Sequence, residues 1–200
     1  MNYPHRFWIV GGVIIVVAVA VIVWFNKSKP FYPDINSPRP VKGSSEADIT
    51  LQEFSDFQCP ACLAAQPVVQ DVIKTFSDRL KLEYKHYPLV TIHTQAFRAA
   101  LAAECANDQG KFWEYHDLLF ANQPSFSTDE LLGYASQLDL KADSFAACLD
   151  SRAKTSVVRA DVAEGGKRGV NATPTFFLNG EKVQDWTKLK ELIQSKLVGG

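Results

Sequence analysis

The chain has 200 residues, 46% of them apolar, and a formal net charge of −1. That length holds one domain with accessories, the apolar share argues against disorder throughout, and the charge argues against nucleic-acid binding, for which a strongly basic domain is expected. Residues 1–42 carry five Lys or Arg and one Asp, while residues 43–200 carry sixteen basic and twenty-one acidic side chains. The basic excess thus flanks an apolar stretch, the pattern of a tether and not of a phosphate-binding surface.

After a tail of residues 1–6, Phe7–Phe25 runs without a charge or a proline. As a helix it would cross roughly 28 Å. Phe7 and Trp8 open the run and Trp24 and Phe25 close it, as an aromatic belt would. A transmembrane anchor is therefore expected over residues 7–25. Ala18-Val19-Ala20 offers a signal-peptidase-like site as the rival reading, which would leave Val21–Phe25 as an apolar new N-terminus. Residues 26–42 contain Pro30, Pro33, Pro38 and Pro40 and read as an extended spacer, with a reach of up to roughly 50 Å.

Beyond the spacer, Ile49–Phe54 alternates as a strand and runs into a loop. Cys59-Pro60-Ala61-Cys62 then opens a helix with Val69, Val72, Ile73 and Phe76 at helical spacing; Pro60 suits its first turn, and Pro67 lies inside the pattern, where a kink is expected. Leu80–Tyr87 reads as a second strand. Helices are predicted over 95–107 and 111–121, from the Ser127/Glu130 capping box to Leu138, and over 143–168 with a break near Asp150-Ser151. Thr175–Leu178, the Asn179-Gly180 turn and Glu181–Gln184 form a hairpin, and Lys188–Leu197 a closing amphipathic helix. The order βαβ, helical block, ββα describes an α/β domain over 43–93 and 169–200 with a helical insertion over 94–168.

A thiolate attacks in disulfide exchange, so a working cysteine needs a lowered pKa, and a helix N-terminus supplies one through its free N–H groups and dipole. Cys59 sits at such an N-terminus, with Cys62 one turn later on the same side. Half of a zinc site and a structural disulfide are the bland alternatives. Zinc would need two more ligands, and Cys105 and Cys148 stand alone without a nearby His pair, so no metal is expected. His86, His93 and His116 have no metal-ligand spacing and read as surface or packing residues, as Phe112 and Trp113 read as helix core.

Three segments carry a family resemblance: Glu53–Cys62 (EFSDFQCPAC), Gly110–His116 (GKFWEYH) and Gly169–Phe177 (GVNATPTFF). In these the chain resembles the thioredoxin superfamily, and within it the DsbA type, over nearly everything from Gly43 onward. The resemblance implies a thioredoxin fold with a helical insertion and a thiol–disulfide oxidoreductase that needs no cofactor. It implies Cys59 as the exposed nucleophile, Cys62 as its buried partner, and a cis bond before Pro174. Pro60, Ala61, Thr173 and Pro174 would then face the substrate, with Thr173 offering its backbone to an extended chain. Glu53 matches the buried acid of the family and would carry protons to or from Cys62; the alternative is an edge glutamate facing water. Ala61 departs from the best-known motif, which has histidine there, and this places a very oxidising potential in doubt.

An even cysteine count in a domain outside the cytoplasm, together with similar pairs in DsbA-type relatives, favours a Cys105–Cys148 disulfide, worth roughly 4 kcal/mol by loop closure. Two buried thiols, or a relay with Cys59, are the other readings. Counting Lys and Arg alone would put the domain in the cytoplasm; the cysteines and the resemblance place it outside instead. The expected function is disulfide donation to reduced exported proteins by a membrane-anchored monomer, reoxidised by a quinone-linked membrane oxidase of the DsbB or vitamin K epoxide reductase type. A reductase or isomerase with the same cysteines, and a tethered peptide-binding chaperone with structural cysteines, are the competing readings.

Overall fold

The computed structural model describes residues 39–199. The expected tail, the anchor over 7–25 and most of the spacer lie outside the described residues. Among the described residues no helix is long and apolar enough to cross a membrane.

Five strands form one sheet in the order β1-β3-β2-β4-β5: β1 (Val41–Gly43), β2 (Ile49–Ser55), β3 (Leu80–His86), β4 (Thr175–Leu178) and β5 (Glu181–Lys182). The β2/β3 pair is parallel and the other pairs are antiparallel. Parallel neighbours need a crossover, which α1 (Pro60–Thr75) provides. Ile49, Leu51, Leu80 and Leu82 meet Val69 and Val72 of α1, and Leu189 and Ile193 of α7 (Leu189–Gly199), in one buried layer. A short 3₁₀ turn at Trp186–Lys188 leads into α7. Asn179 (φ 48°) and Gly180 (φ 85°) both take the left-handed conformation of the predicted two-residue hairpin turn.

The helical block comprises α2 (Ala96–Asn107), α3 (Phe112–Ala121), α4 (Thr128–Gln137), α5 (Ala142–Asp150) and α6 (Thr155–Lys167). The capping box at Ser127 and Glu130 is present, and the helix predicted over 143–168 divides at a turn in which Arg152 has φ 54°. Cys105 of α2 and Cys148 of α5 form a disulfide. It staples two helices of the block together.

Two boundaries differ from the expectation. The insertion does not extend to residue 168, because α6 packs against β3 and covers the second face of the sheet. Phe54, Tyr87, Val170 and Phe177 cluster on that face. Gly165 allows the close approach: a Cβ there would lie 2.8 Å from the Tyr87 ring and 3.0 Å from that of Phe54. The apolar stripe of α6 is too sparse to announce this role in sequence. The spacer also ends earlier than Lys42, since Val41 and Lys42 pair with Glu83 and Leu82 as strand. Three residues after a proline-rich run give no periodicity to read.

Arg39 is likewise part of the fold. Its guanidinium pairs with Asp161 of α6 and lies 3.3 Å from Glu104 of α2. Glu104 also binds His86 Nε2 at 2.9 Å, and Asp161 accepts from the His86 backbone N–H at 2.9 Å. Both carboxylates are nearly inaccessible. Removing the guanidinium leaves Glu104 with His86 alone and Asp161 with the more distant Lys85 at 3.9 Å, so Arg39→Met is expected to cost about 3 kcal/mol of unfolding free energy, measured by urea denaturation. A loss below about 0.5 kcal/mol, the level of a surface substitution, would show that the cluster does not hold β1 in place.

Candidate active site

The site lies where β2 and β3 end and α1 begins. Pro60 occupies the first helical turn, where its missing N–H costs nothing, and Cys59 is the extended N-cap residue with ψ 120°. Its side chain makes no cap bond, which leaves the sulfur free at the helix N-terminus. Cys59 and Cys62 are both free thiols; Cys62 is fully buried, and Cys59, expected to be exposed, is 7% accessible because the Thr173–Pro174 loop packs over its sulfur. Cys59 Sγ lies 3.4 Å from the Thr173 carbonyl oxygen, and the Thr173–Pro174 bond is cis. Pro60 and Ala61 are exposed beside the sulfur, and Thr173 is buried behind it.

The two sulfurs have opposite acidities. A hydrogen bond from the Cys62 thiol, opposed by burial and helped by the Thr173 hydroxyl and the N–H groups of Cys62 and Ala61, lowers Cys59 to about 5. Burial, then the bond it gives to Cys59, raises Cys62 far above the usual thiol range, although the Asp56 N–H donates to its sulfur at 3.4 Å. The pair thus favours a thiolate at Cys59 and a thiol at Cys62.

Glu53 faces inward from the middle of β2, between Tyr84 and Phe176 on its neighbouring strands. It is fully buried, so it is not an edge glutamate. Gln66 of α1 donates to its Oε1 at 3.2 Å, and its Oε2 has no partner. Burial raises its pKa to about 7, against the opposing pull of Ser55 and Gln66.

Several residues of the site were not singled out from sequence. Asp56 accepts at Oδ1 from the Gln58 N–H (2.7 Å) and at Oδ2 from the Leu89 N–H and His93 Nδ1 (2.8 Å each). Its Oδ1 bond to residue i+2 is an Asx turn, so an Asp at a strand end was a readable signal. His93 is thus a site residue and not a simple surface one. Gln123, next to the cis bond at Pro124, donates to the carbonyls of Phe57 and Cys59 and ties the helical block to the active loop. His86 and His116 are buried packing residues, as expected. Cys105 and Cys148 do not join the site. Among the described residues no cluster of His, Cys, Asp or Glu could hold a metal.

A cysteine pair at a helix N-terminus thus faces a cis-proline loop, on this sheet and beside this helical block. Residues 36–195 match the family model described as Thioredoxin, and the chain belongs to that family. Among solved structures it is similar to oxidised BdbD from Bacillus subtilis (TM-score 0.72, 26% identity, 80% of this chain and 92% of that one). It is also similar to a thioredoxin-like oxidoreductase from Silicibacter pomeroyi (TM-score 0.71, 26% identity, 81% and 94%). The thiol–disulfide exchange protein alpha-DsbA2 from Wolbachia pipientis shares the fold at 17% identity (TM-score 0.68, 78% and 86%). In sequence, 142 residues are 42% identical to a protein of Salinispora arenicola named Na(+)/H(+) antiporter NhaA 1, covering 71% of this chain but 22% of that protein. The chain thus spans about a fifth of the length of such curated relatives.

The Glu53 carboxyl should mark the pH dependence of stability. Its pKa is raised from 4.5 to about 7 on folding, so it stabilises the fold fully below pH 4.5 and loses that contribution as pH rises to about 7. Reduced Glu53→Gln should therefore match wild type at pH 4 and exceed it by about 3 kcal/mol at pH 8 in urea unfolding. A difference independent of pH would mean that Glu53 ionises normally.

Proposed function

We propose that the protein donates its Cys59–Cys62 disulfide to reduced exported proteins. The observation that carries the reading is the placement of Cys59 at the N-terminus of α1 against the Thr173–Pro174 loop, where free N–H groups and the helix dipole favour a thiolate. A disulfide whose reduced form is stabilised is a strong oxidant, and a low-pKa sulfur is a good leaving group. The helix N-terminus and the Cys62 thiol supply this stabilisation, in place of the imidazole that Ala61 lacks.

A substrate thiolate attacks Cys59 Sγ, the Cys59–Cys62 bond breaks, and Cys62 leaves. Its high proton affinity calls for an immediate proton, which Glu53, half-protonated near neutrality, supplies. The second substrate thiolate then attacks the substrate sulfur of the mixed disulfide and releases Cys59 as a thiolate. Two electrons pass from the substrate dithiol to the cysteine pair. Thr173 would offer its backbone to the incoming chain as an added strand. Leu63, beside Cys62, and Val90 and Ile92, in the loop tied to Asp56, are exposed apolar side chains that suit an unfolded client. Regeneration falls to a quinone-linked membrane oxidase of the DsbB or vitamin K epoxide reductase type.

The direction is tested by the reduction potential of the full chain, equilibrated in glutathione buffers and read by alkylation mass. About −120 to −160 mV is expected; about −270 mV would make the protein a reductase.

Residues 7–25 serve as the membrane anchor in this proposal, with the domain on the outer side. Full-length protein should resist carbonate extraction from membranes, and added protease should reach the domain in intact spheroplasts. Release by carbonate, or protection from protease, would overturn the anchor or the orientation respectively.

A further inference from the structure

Three buried polar atoms beneath the cysteines have no hydrogen-bond partner: Glu53 Oε2, Ser55 Oγ and Tyr84 Oη. An unpartnered buried hydroxyl costs about 1–3 kcal/mol, so its retention calls for a reason. The sheet register brings the three together. Glu53 and Ser55, two apart on β2, project from the same face, and Tyr84 is the neighbour of Glu53 on β3.

Helix α1 descends along that face in the direction opposite to β2. Gln66 meets Glu53 at 3.2 Å. One helical turn back from Gln66 is Cys62, an axial rise of about 6 Å; two residues forward from Glu53 is Ser55, about 6.6 Å along the strand. The two ladders keep step, so Ser55 stands opposite Cys62 as Glu53 stands opposite Gln66. The Asp56 N–H, bonded to Cys62 Sγ at 3.4 Å, fixes the match from the next residue.

We propose that the Ser55 hydroxyl relays the proton between the Glu53 carboxyl and the Cys62 sulfur, with the Tyr84 hydroxyl orienting the carboxyl. As the Cys59–Cys62 bond breaks, Ser55 gives its proton to the departing Cys62 sulfur and takes the proton of Glu53. The result is a Cys62 thiol, an intact Ser55 hydroxyl and a Glu53 carboxylate. The relay rests on the proposed reading in that Glu53 is the proton source; in the reductase direction the same protons run backward.

The test is single-turnover oxidation of a dithiol peptide by the oxidised full chain from pH 5 to 9, with acid-quenched products alkylated and counted by mass. Divided by the fraction of substrate present as thiolate, the wild-type rate should fall above about pH 7, where Glu53 is ionised. Ser55→Ala should slow the reaction roughly 10²-fold at pH 6 and flatten that limb, as loss of general acid catalysis does. Ser55→Thr, which keeps a hydroxyl, should recover the limb. Tyr84→Phe should move it to higher pH, and it carries the test if Ser55→Ala does not fold. If Glu53→Gln abolishes the limb while Ser55→Ala keeps wild-type rate and profile, the relay is wrong and Glu53 acts on Cys62 without it. If Glu53→Gln also changes nothing, the acid role and the relay fall together. A reductase-like potential with the limb still lost in Ser55→Ala would retain the relay and overturn only the direction.

Discussion

Everything at the active site depends on the buried carboxylate of Asp56. Its two oxygens hold the start of the active loop, through Gln58, and the loop after β3, through Leu89 and His93. Its own backbone carbonyl accepts from the Cys59 N–H at 3.0 Å, while its N–H donates to Cys62. One residue therefore fixes where β2 stops, where α1 starts and how the two cysteines sit between them. A carboxylate buried to this degree is tolerable only because every bond it accepts comes from a fixed donor.

From that clamp follows the asymmetry of the pair. Cys59 falls at the helix terminus, where free N–H groups and the helix dipole favour an anion. Cys62, one turn inward, falls among Phe57, Tyr84 and the alanines of α2, where an anion is costly. The same chemical group thus has two environments within one turn of helix. The cis-proline loop closes the site from the far side, and Gln123 of the helical block holds the active loop from above.

Much of this architecture was legible in the chain. The alternation of Ile49–Phe54, the helical spacing after Cys62, the Ser127/Glu130 box and the Asn179-Gly180 turn are local signals that tertiary context did not override. The cysteine spacing announced the chemistry, and the segment around Thr173-Pro174 announced its partner loop by resemblance. What escaped was non-local. Arg39 reads as one more polar residue in a proline-rich run until Glu104 and Asp161, both distant in sequence, converge on it. The role of α6 depends on Gly165 meeting Tyr87 and Phe54, a fit between surfaces that no periodicity encodes. His93 and Gln123 act through contacts to loops that the sequence places far away, so their residue type alone says little.

The seating of Arg39 has a geometric corollary. β1 runs antiparallel to β3, and Arg39 docks beside His86, at the end of β3 that adjoins Ser55 and the active loop. The polypeptide therefore enters the domain at its reactive pole and not at the opposite one. Arg39 and the active loop thus share one end of the sheet, so the ion cluster that seats β1 and the loop that carries Cys59 are built on neighbouring strand ends.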